Sequence, residues 1–524
     1  MSQISVSNLT FAYEGSYDSI FENTSFQIDT DWRLGLIGRN GRGKTTLLKL
    51  LMGELDYRGE ITTGISFDYF PPVINDMSGL TIDVIKGLIA DFHEMERQME
   101  HYSSRTDSDS VEKYGDILSR YMQLDGYIIN ELIAKELNKL NVAEDALLRP
   151  FSTLSNGERT KCMLGALFLK KDNFLLIDEP TNHLDYKGRQ VAADYLKAKK
   201  SFILVSHDRR FLDGTIDHVL SINRGNIEVQ RGNYTSWQEN MDKMNSFELN
   251  ENEKLKKDIS RLNSAAKQTA SWSDKTEKSK IGEHVGDRGF VGHKAAKMMK
   301  RSKAIEKRRE DAAADKSKLL KNVETIENLR LTPLAHHSRP YIEAKDLSLL
   351  YGEKEVINKI SFSLEKGERL AVRGANGSGK TSLIKLLLGG EIDHHGQLFI
   401  AKGLSFSYVS QDTSKVSGNL KDYSLSKGIG EALLKSILRK MGFDRVQFEK
   451  NMENYSEGQK KKVLIAASLC RQAHVYIWDE PLNFIDIISR GQIERLILEY
   501  EPTMIFVEHD MAFNENVATA ILEL

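Results

Sequence analysis

Short apolar runs closed by glycine or by a charged residue recur along this chain, and the main ones come twice in the same order. LGLI before Gly38 is matched by LAV before Arg373, and FLLI before Asp178 by VYIW before Asp479. ILV before Ser206-His207 is matched by IFV before Glu508-His509. Each run has the length and closure of a buried strand, and the first pair leads directly into helix-forming residues. Between the copies the pattern changes. No Gly or Pro occurs between Gly232 and Gly282, nor between Gly292 and Pro333, and both spans are dense in Glu, Lys, Ala, Leu and Met, all good helix formers. Met298, Ile305, Ala312, Leu319 and Ile326 recur every seven residues, a seam suited to a helical partner. The pattern predicts two antiparallel helices there, joined by the glycine-rich loop KIGEHVGDRGFVGH. No run of 18 apolar residues occurs, so no membrane span is expected.

The spacing within the repeat locates an insertion. Lys44 and Lys380 lie 336 residues apart, whereas Asp178 and Asp479 lie 301 apart, so the first copy carries about 35 more residues between those points. They fall between Pro72 and Leu154, in a charged, helix-forming stretch placed at about 88–126, either a surface decoration or a docking arm. The expected domains are 1–236, a linker over 237–340, and 341–524. A length of 524 residues agrees with more than one core.

The net charge of −2 conceals a local imbalance. From Arg261 to Arg309 there are 14 Lys or Arg against 5 Asp or Glu. That excess lies at the far end of the helical pair, where an anionic partner is favoured over simple solvation. Lys294, Lys297, Lys300 and Arg301 are its densest part, and Ile281, Val285, Phe290 and Val291 are apolar residues of the loop itself. The two cysteines, Cys162 and Cys470, lack metal-site spacing and read as buried apolar residues in a reducing compartment. The first residues, MSQISVSNLTFAYEG, lack the basic-then-apolar pattern of a signal peptide, so a cytoplasmic location is expected.

GRNGRGKTT and GANGSGKTS each follow a predicted strand and open a predicted helix, the context of a phosphate-binding loop. Gly38, Gly41 and Gly43, and in the second copy Gly374, Gly377 and Gly379, let backbone amides turn toward phosphate oxygens. Lys44 and Lys380 are expected to reach the terminal phosphates of a nucleotide, and Thr45 and Thr381 to ligate magnesium. Asn40, Thr46, Asn376 and Ser382 belong to the same loops and are counted with the nucleotide contacts. Asp178 and Asp479 are expected on the metal, directly or through water. Glu179 and Glu480 come next, placed to orient or deprotonate the attacking water. His207 and His509 are expected at the terminal phosphate.

With LSNGE at 154–158 and YSEGQ at 455–459, the chain resembles the ATP-binding-cassette superfamily, whose signature motif these segments match. The resemblance implies an α/β fold: two tandem P-loop cassettes joined by a long α-helical hairpin, paired head to tail in one monomer. Lys44, Asp178, Glu179 and His207 would face Ser456 and Gly458, while Lys380, Asp479, Glu480 and His509 would face Ser155 and Gly157. Tyr13 and Tyr351 match the aromatic residue that stacks on adenine. The superfamily also has a magnesium-linked glutamine, which Gln411 supplies in SYVSQD. The first copy reads DYFPP there, with Pro72 at that place, and Leu482 replaces Thr181 further on. Two unequal, competent sites are implied.

Two cassettes without a membrane span, joined by a charged hairpin, further resemble the ABC-F proteins, over essentially the whole chain. In that family the linker enters the tRNA exit site of the bacterial ribosome, beside ribosomal RNA of the large subunit and the peptidyl-tRNA. WSDKTEKSKIG and GFVGHKAAKMMKRSKAIEKR are similar to the linker of Lsa-type resistance members, which implies protection against lincosamides, pleuromutilins and streptogramin A compounds. The alternatives are a housekeeping factor for stalled ribosomes and, against the evidence of the hairpin, the ATPase of a transporter with a separate permease.

Overall fold

A computed structural model describes the chain apart from residues 1–2, 14–18, 106, 183, 224–225, 279–299, 301–303, 305–306, 309–328, 353, 376 and 444. Two compact units form, one from Met1–Thr235 with Glu327–Leu524 and the other from Ser236–Ile326.

The first cassette begins β1 (Gln3–Phe11), β2 (Phe21–Asp29), β3 (Arg33–Ile37), the helix Lys44–Leu51, β4 (Arg58–Thr62) and β5 (Ser66–Phe70). After a helical segment come β6 (Asn173–Asp178), β7 (Phe202–Val205), β8 (His218–Ile222) and β9 (Ile227–Arg231). Among the described residues they build an antiparallel sheet β2-β1-β4 and a second sheet β5-β6-β7-β3-β8-β9, parallel except for β9. The non-consecutive order places the ends of β3, β6 and β7 side by side. In such sheets ligands bind beyond the carboxyl ends of the strands, which is where Gly38, Asp178 and His207 follow.

The second cassette repeats the plan with β10 (Ile342–Tyr351), β11 (Lys354–Leu364), β12 (Arg369–Arg373), β13 (Asp393–Ile400), β14 (Phe406–Val409), β15 (Val475–Asp479), β16 (Met504–Val507) and β17 (Ala520–Glu523). Its sheets are β11-β10-β13 and the parallel β14-β15-β16-β12-β17. Both parallel sheets are apolar through their centres: β7 and β16 are buried at every position, as strands covered on both faces must be.

Two helices, Phe92–Ser103 and Ser108–Gln123, occupy the inserted stretch. Asp91 and Asp107 cap them by accepting from the amides of Glu94 and Ser110. Phe92 meets Tyr121 edge to face at 5.9 Å, and the Tyr121 hydroxyl donates to Glu96 at 2.7 Å.

The helix Tyr234–Lys278 runs unbroken for 45 residues, about 68 Å at 1.5 Å per residue. The loop residues Ile281, Val285, Phe290 and Val291, the basic residues Lys294, Lys297 and Arg301, and the heptad positions Met298, Ile305, Ala312, Leu319 and Ile326 lie outside the described residues; Lys300 is helical and exposed. At the far boundary, Leu329 and Leu331 are buried in the second cassette's core, and the Leu334 amide donates to the Ala473 carbonyl at 2.8 Å. The second cassette thus begins to pack before residue 341, on apolar side chains that precede its first strand. Cys162 is fully buried, whereas Cys470 is only partly so, a correction to its reading as a core residue: it caps the end of the helix Glu457–Leu469.

Candidate nucleotide sites

Both phosphate loops turn on glycines in the left-handed region. Gly43 has φ 88° and Gly379 φ 96°, and a Cβ on Gly43 would lie 2.5 Å from Ile20 Cγ2. Only glycine is unstrained there, and each directly precedes a helix, Lys44–Leu51 or Lys380–Leu387, whose free amides suit an anion. Lys44 Nζ donates to the Gly38 carbonyl at 2.8 Å, and Lys380 Nζ to those of Gly374 and Ala375 at 2.9 and 2.8 Å. Burial lowers the pKa of both ammonium groups, opposed by nearby carboxylates: Asp486, Glu179 and Asp178 for Lys44, and Glu480 and Asp479 for Lys380. Each lysine is therefore a desolvated cation set among acids, suited to a polyanionic ligand.

A cavity of about 410 Å³ opens over the first loop. Tyr13, Lys44, Thr45, Asp178, Glu179 and His207 line one side, and Ser456, Gly458 and Phe484 of the second cassette line the other. The cassettes meet tightly at this point. Asn40 Nδ2 donates to the Phe484 carbonyl at 2.7 Å, and a Cβ on Gly458 would lie 2.5 Å from that same nitrogen. Tyr13 is 46% exposed, with its hydroxyl 3.0 Å from Thr46 Oγ1, so its ring is not a core aromatic. Ser456 caps its own helix by accepting from the Gln459 amide at 3.3 Å, as Ser155 does from Glu158 at 3.2 Å. At the second site Asn376 lies outside the described residues, as does the side chain of Tyr351, whose backbone ends β10. Gly157 is half-buried beside Ser155, while Thr381 and Ser382 open the helix after Lys380.

Glu179 and Glu480 share an unusual backbone, with φ 51° and 46°, a region sparsely populated by residues other than glycine. The Glu179 amide donates to the Val205 carbonyl and the Glu480 amide to that of Val507, which holds each turn against its neighbouring strand. Strain of this kind persists where the surroundings over-determine it, often at functional sites. His207 Nε2 is 3.3 Å from Glu179 Oε1, and His509 Nε2 is 3.5 Å from Glu480 Oε1.

The two carboxylates differ in support. Glu480 Oε2 accepts from Gln411 at 2.9 Å and Asn483 at 2.6 Å. Burial works against its charge, yet the nearby His509, the bond from Gln411 and the charge of Lys461 hold it below the usual carboxylate range. Glu179 Oε1 is buried without a hydrogen bond, and burial followed by the charge of Asp178 pushes its pKa up. Burial also keeps His207 well below its ordinary value, with Lys44 and Arg490 adding to the effect.

Strand register explains the difference. Tyr69 pairs with Leu176 one position before Ile177, and Tyr408 pairs with Ile477 one position before Trp478. Counting on from these, Pro72 stands where Gln411 stands. Tyr69 supports the neighbouring aspartate: its hydroxyl donates to Asp178 Oδ2 at 2.9 Å, and Thr45 Oγ1 donates to the same oxygen at 3.0 Å. Asp479 keeps both carboxylate oxygens buried without a hydrogen bond, and burial with the charge of Glu480 pushes it up to about 6. A threonine hydroxyl beside an orphaned carboxylate is an oxygen donor set of the kind magnesium takes, so these residues fit that ion.

Sequence reasoning missed four participants: Tyr69, Phe484, Asp486 and Lys461. Asp486 is fully buried, 2.6 Å from Lys462 Nζ, and that charge holds it well below the usual range despite burial. Comparing the copies position by position around DEPLNFID would have marked the loop that carries Phe484 and Asp486.

Paired P-loop domains, each carrying an Asp-Glu pair at a strand end, define a tandem nucleotide-hydrolysing ATPase. The family model described as ABC transporter matches residues 21–182 and 357–483. The chain belongs to this family of ATP-hydrolysing cassettes, in its ABC-F branch. It is 27% identical to the ribosome protection protein VmlR of Bacillus subtilis, over 98% of this chain and 85% of that one. It is 28% identical to the ATP-binding protein Uup of Buchnera aphidicola, over 99% and 80%. Among solved structures, an archaeal ribosome recycling factor, aABCE1, in complex with the stalk protein aP1, superposes with a TM-score of 0.56 at 19% identity, over 98% of this chain and 87% of that one; this likeness shows the fold. Among the described residues, no helix is long and apolar enough to cross a membrane.

Proposed function

We propose that this ATPase works on the bacterial ribosome, inserting its helical linker at the tRNA exit site and protecting the peptidyl transferase centre from lincosamides, pleuromutilins and streptogramin A compounds. The observation that carries this reading is the likeness to a ribosome protection protein over 98% of the chain, linker included. The basic residues Lys294, Lys297, Lys300 and Arg301 suit ribosomal RNA phosphate, and the apolar loop residues Ile281, Val285, Phe290 and Val291 suit the drug site or the tRNA end. The protein is then a cytoplasmic monomer whose cassettes pair with each other.

At each site Lys44 or Lys380 binds the terminal phosphates while the preceding glycine amides cradle them. Tyr13 and Tyr351 stack on the base, and Ser456-Gly458 or Ser155-Gly157 close over the nucleotide from the opposite cassette. Thr45 with Asp178, and Thr381 with Asp479 and Gln411, would hold magnesium, which when bound neutralises phosphate charge. Glu179 and Glu480 orient the attacking water and take its proton, and His207 and His509 hold the terminal phosphate. ATP binding closes the pair and sets the linker; hydrolysis reopens it. The nucleotide thereby times residence on the ribosome.

The similar identity to a relative named only as an ATP-binding protein leaves a second reading, a translation factor that acts without any drug. Expression in a susceptible bacterium, followed by growth on the three drug classes, separates the two. Raised tolerance to at least one class supports protection. Unchanged tolerance with retained ribosome binding moves the assignment to the translation factor.

A further inference from the structure

A run of three lysines, Lys460 to Lys462, follows the second signature motif, and its middle member is buried. Lys461 is 1% exposed. Its Nζ donates to the carbonyls of Ser410 at 2.8 Å, Gln411 at 3.2 Å and Asp479 at 3.4 Å. An ammonium has three protons, and each finds a backbone acceptor, which satisfies a cation that would otherwise be expensive to bury. Burial still lowers its pKa, opposed by the carboxylates of Glu508, Asp479 and Glu480.

The three carbonyls are not scattered. Two belong to the segment that leaves β14 and carries Gln411, and the third ends β15 immediately before Glu480. Lys461 therefore clamps together the backbones from which Gln411 and Glu480 project, and their side chains meet at 2.9 Å. In the first cassette both parts of this device are missing. The residue matching Lys461 is Thr160, which turns its hydroxyl back to the Asn156 carbonyl of its own helix at 2.9 Å. The residue matching Gln411 is Pro72, and Glu179 Oε1 has no hydrogen bond.

We propose that Lys461 is a positioning residue for ATP hydrolysis at the second site, fixing the backbone at Gln411 so that its amide is held on Glu480. Its ammonium is occupied by backbone carbonyls, and it acts through the glutamine. The inference rests on the ATPase activity alone and stands whether or not the protein protects ribosomes.

The test is a double-mutant cycle in the full-length protein. Lys461→Thr, Gln411→Ala and the double variant are compared by kcat and KM for ATP. Each single change should lower kcat by up to about twofold, the share of one site in two, with KM unchanged and no further fall in the double variant. A mere loss of stability would not stop at the level set by Gln411→Ala. Should Lys461→Thr fold poorly, Lys461→Met keeps the length of the side chain without its donors and is read in the same way. Full kcat in a lysine variant, losses that multiply in the double variant, or a raised KM with preserved kcat overturns the proposal. So does failure of both lysine variants to fold, which would make the ammonium a prop of the domain instead.

Discussion

Arg209, two residues beyond His207 in the first cassette, lies 2.9 Å from Glu494 in the second. Both side chains are mostly buried, and Asn516 Nδ2 donates to the other oxygen of Glu494 at 2.6 Å. The contact has no mirror image, because the matching residues are Met511 and Ala193. The helix that follows His207 thus carries a mostly buried charge contact to the opposite cassette that the matching positions of the other copy do not repeat. Arg209→Ala should weaken the pairing by about 1.5–3 kcal/mol, the range of a charged hydrogen bond. A double-mutant cycle with Glu494→Ala, read by thermal unfolding, measures the coupling; additive losses would mean that the pair contributes nothing.

Glu179→Gln combined with Glu480→Gln should abolish turnover, by roughly 10²–10⁴-fold if each carboxylate serves as the base, while ATP still binds. The amide keeps the shape of the side chain and removes the proton acceptor. Sedimentation with ribosomes should then show the variant accumulating on them in ATP. A variant that neither hydrolyses ATP nor accumulates would remove the timing role assigned to the nucleotide.

The single changes should differ from each other. Glu480 is held by Gln411 and Asn483, whereas the first cassette has Pro72, without a side-chain donor, at the position of Gln411, and there Tyr69 bonds to Asp178. Residual turnover of Glu179→Gln and Glu480→Gln is therefore expected to diverge, most clearly as magnesium is titrated down. Tyr69→Phe should raise the magnesium needed by Glu480→Gln, in which the first site does the work, and leave Glu179→Gln unaltered. Identical magnesium curves for all of these would contradict unequal sites.

How much of this was legible beforehand depended on whether the chemistry is contiguous. Gly41, Gly43 and Lys44 sit within four residues because one phosphate chain needs them together, and a strand run before them supplies the context. Contacts such as Asn40 on Phe484 join residues 444 apart, and no local pattern encodes such a pair. Lys461 and Lys462 were not legible for another reason. A lysine run ordinarily lies in solvent, yet backbone carbonyls bury the first ammonium and Asp486 buries the second. Tyr69 was hidden because a missing glutamine announces a loss in the sequence, while the hydroxyl beside Asp178 emerges only once β5 and β6 are in register.

Ribosome binding should weaken as salt rises. Replacing Lys294, Lys297, Lys300 and Arg301 together with Ala should reduce the slope of log affinity against log salt by up to about one per lost phosphate contact. Pelleting assays at a series of potassium concentrations read this directly. An unchanged slope would return these residues to an ordinary solvated helix face.

Phe290→Ala should lower drug tolerance while basal ATP turnover stays at the parental level. An aromatic ring offers the largest apolar surface in the loop 280–293, where solvent exposure would favour polar residues. Growth inhibition by a lincosamide, a pleuromutilin and a streptogramin A compound, set beside purified ATPase rates, checks both halves. Full resistance in the variant would show that the ring serves only the shape of the loop.

The left-handed backbone at Glu179 and Glu480 places stability and activity in opposition at the same two residues. Glycine would relieve the torsional strain at either position, although it would also lose more freedom on folding. A selection for heat resistance alone can therefore accept Glu179→Gly or Glu480→Gly and return a sturdier protein that no longer turns over ATP. Any attempt to harden this molecule for structural work has to screen for hydrolysis at every round, because some of its strained backbone lies where its chemistry is done.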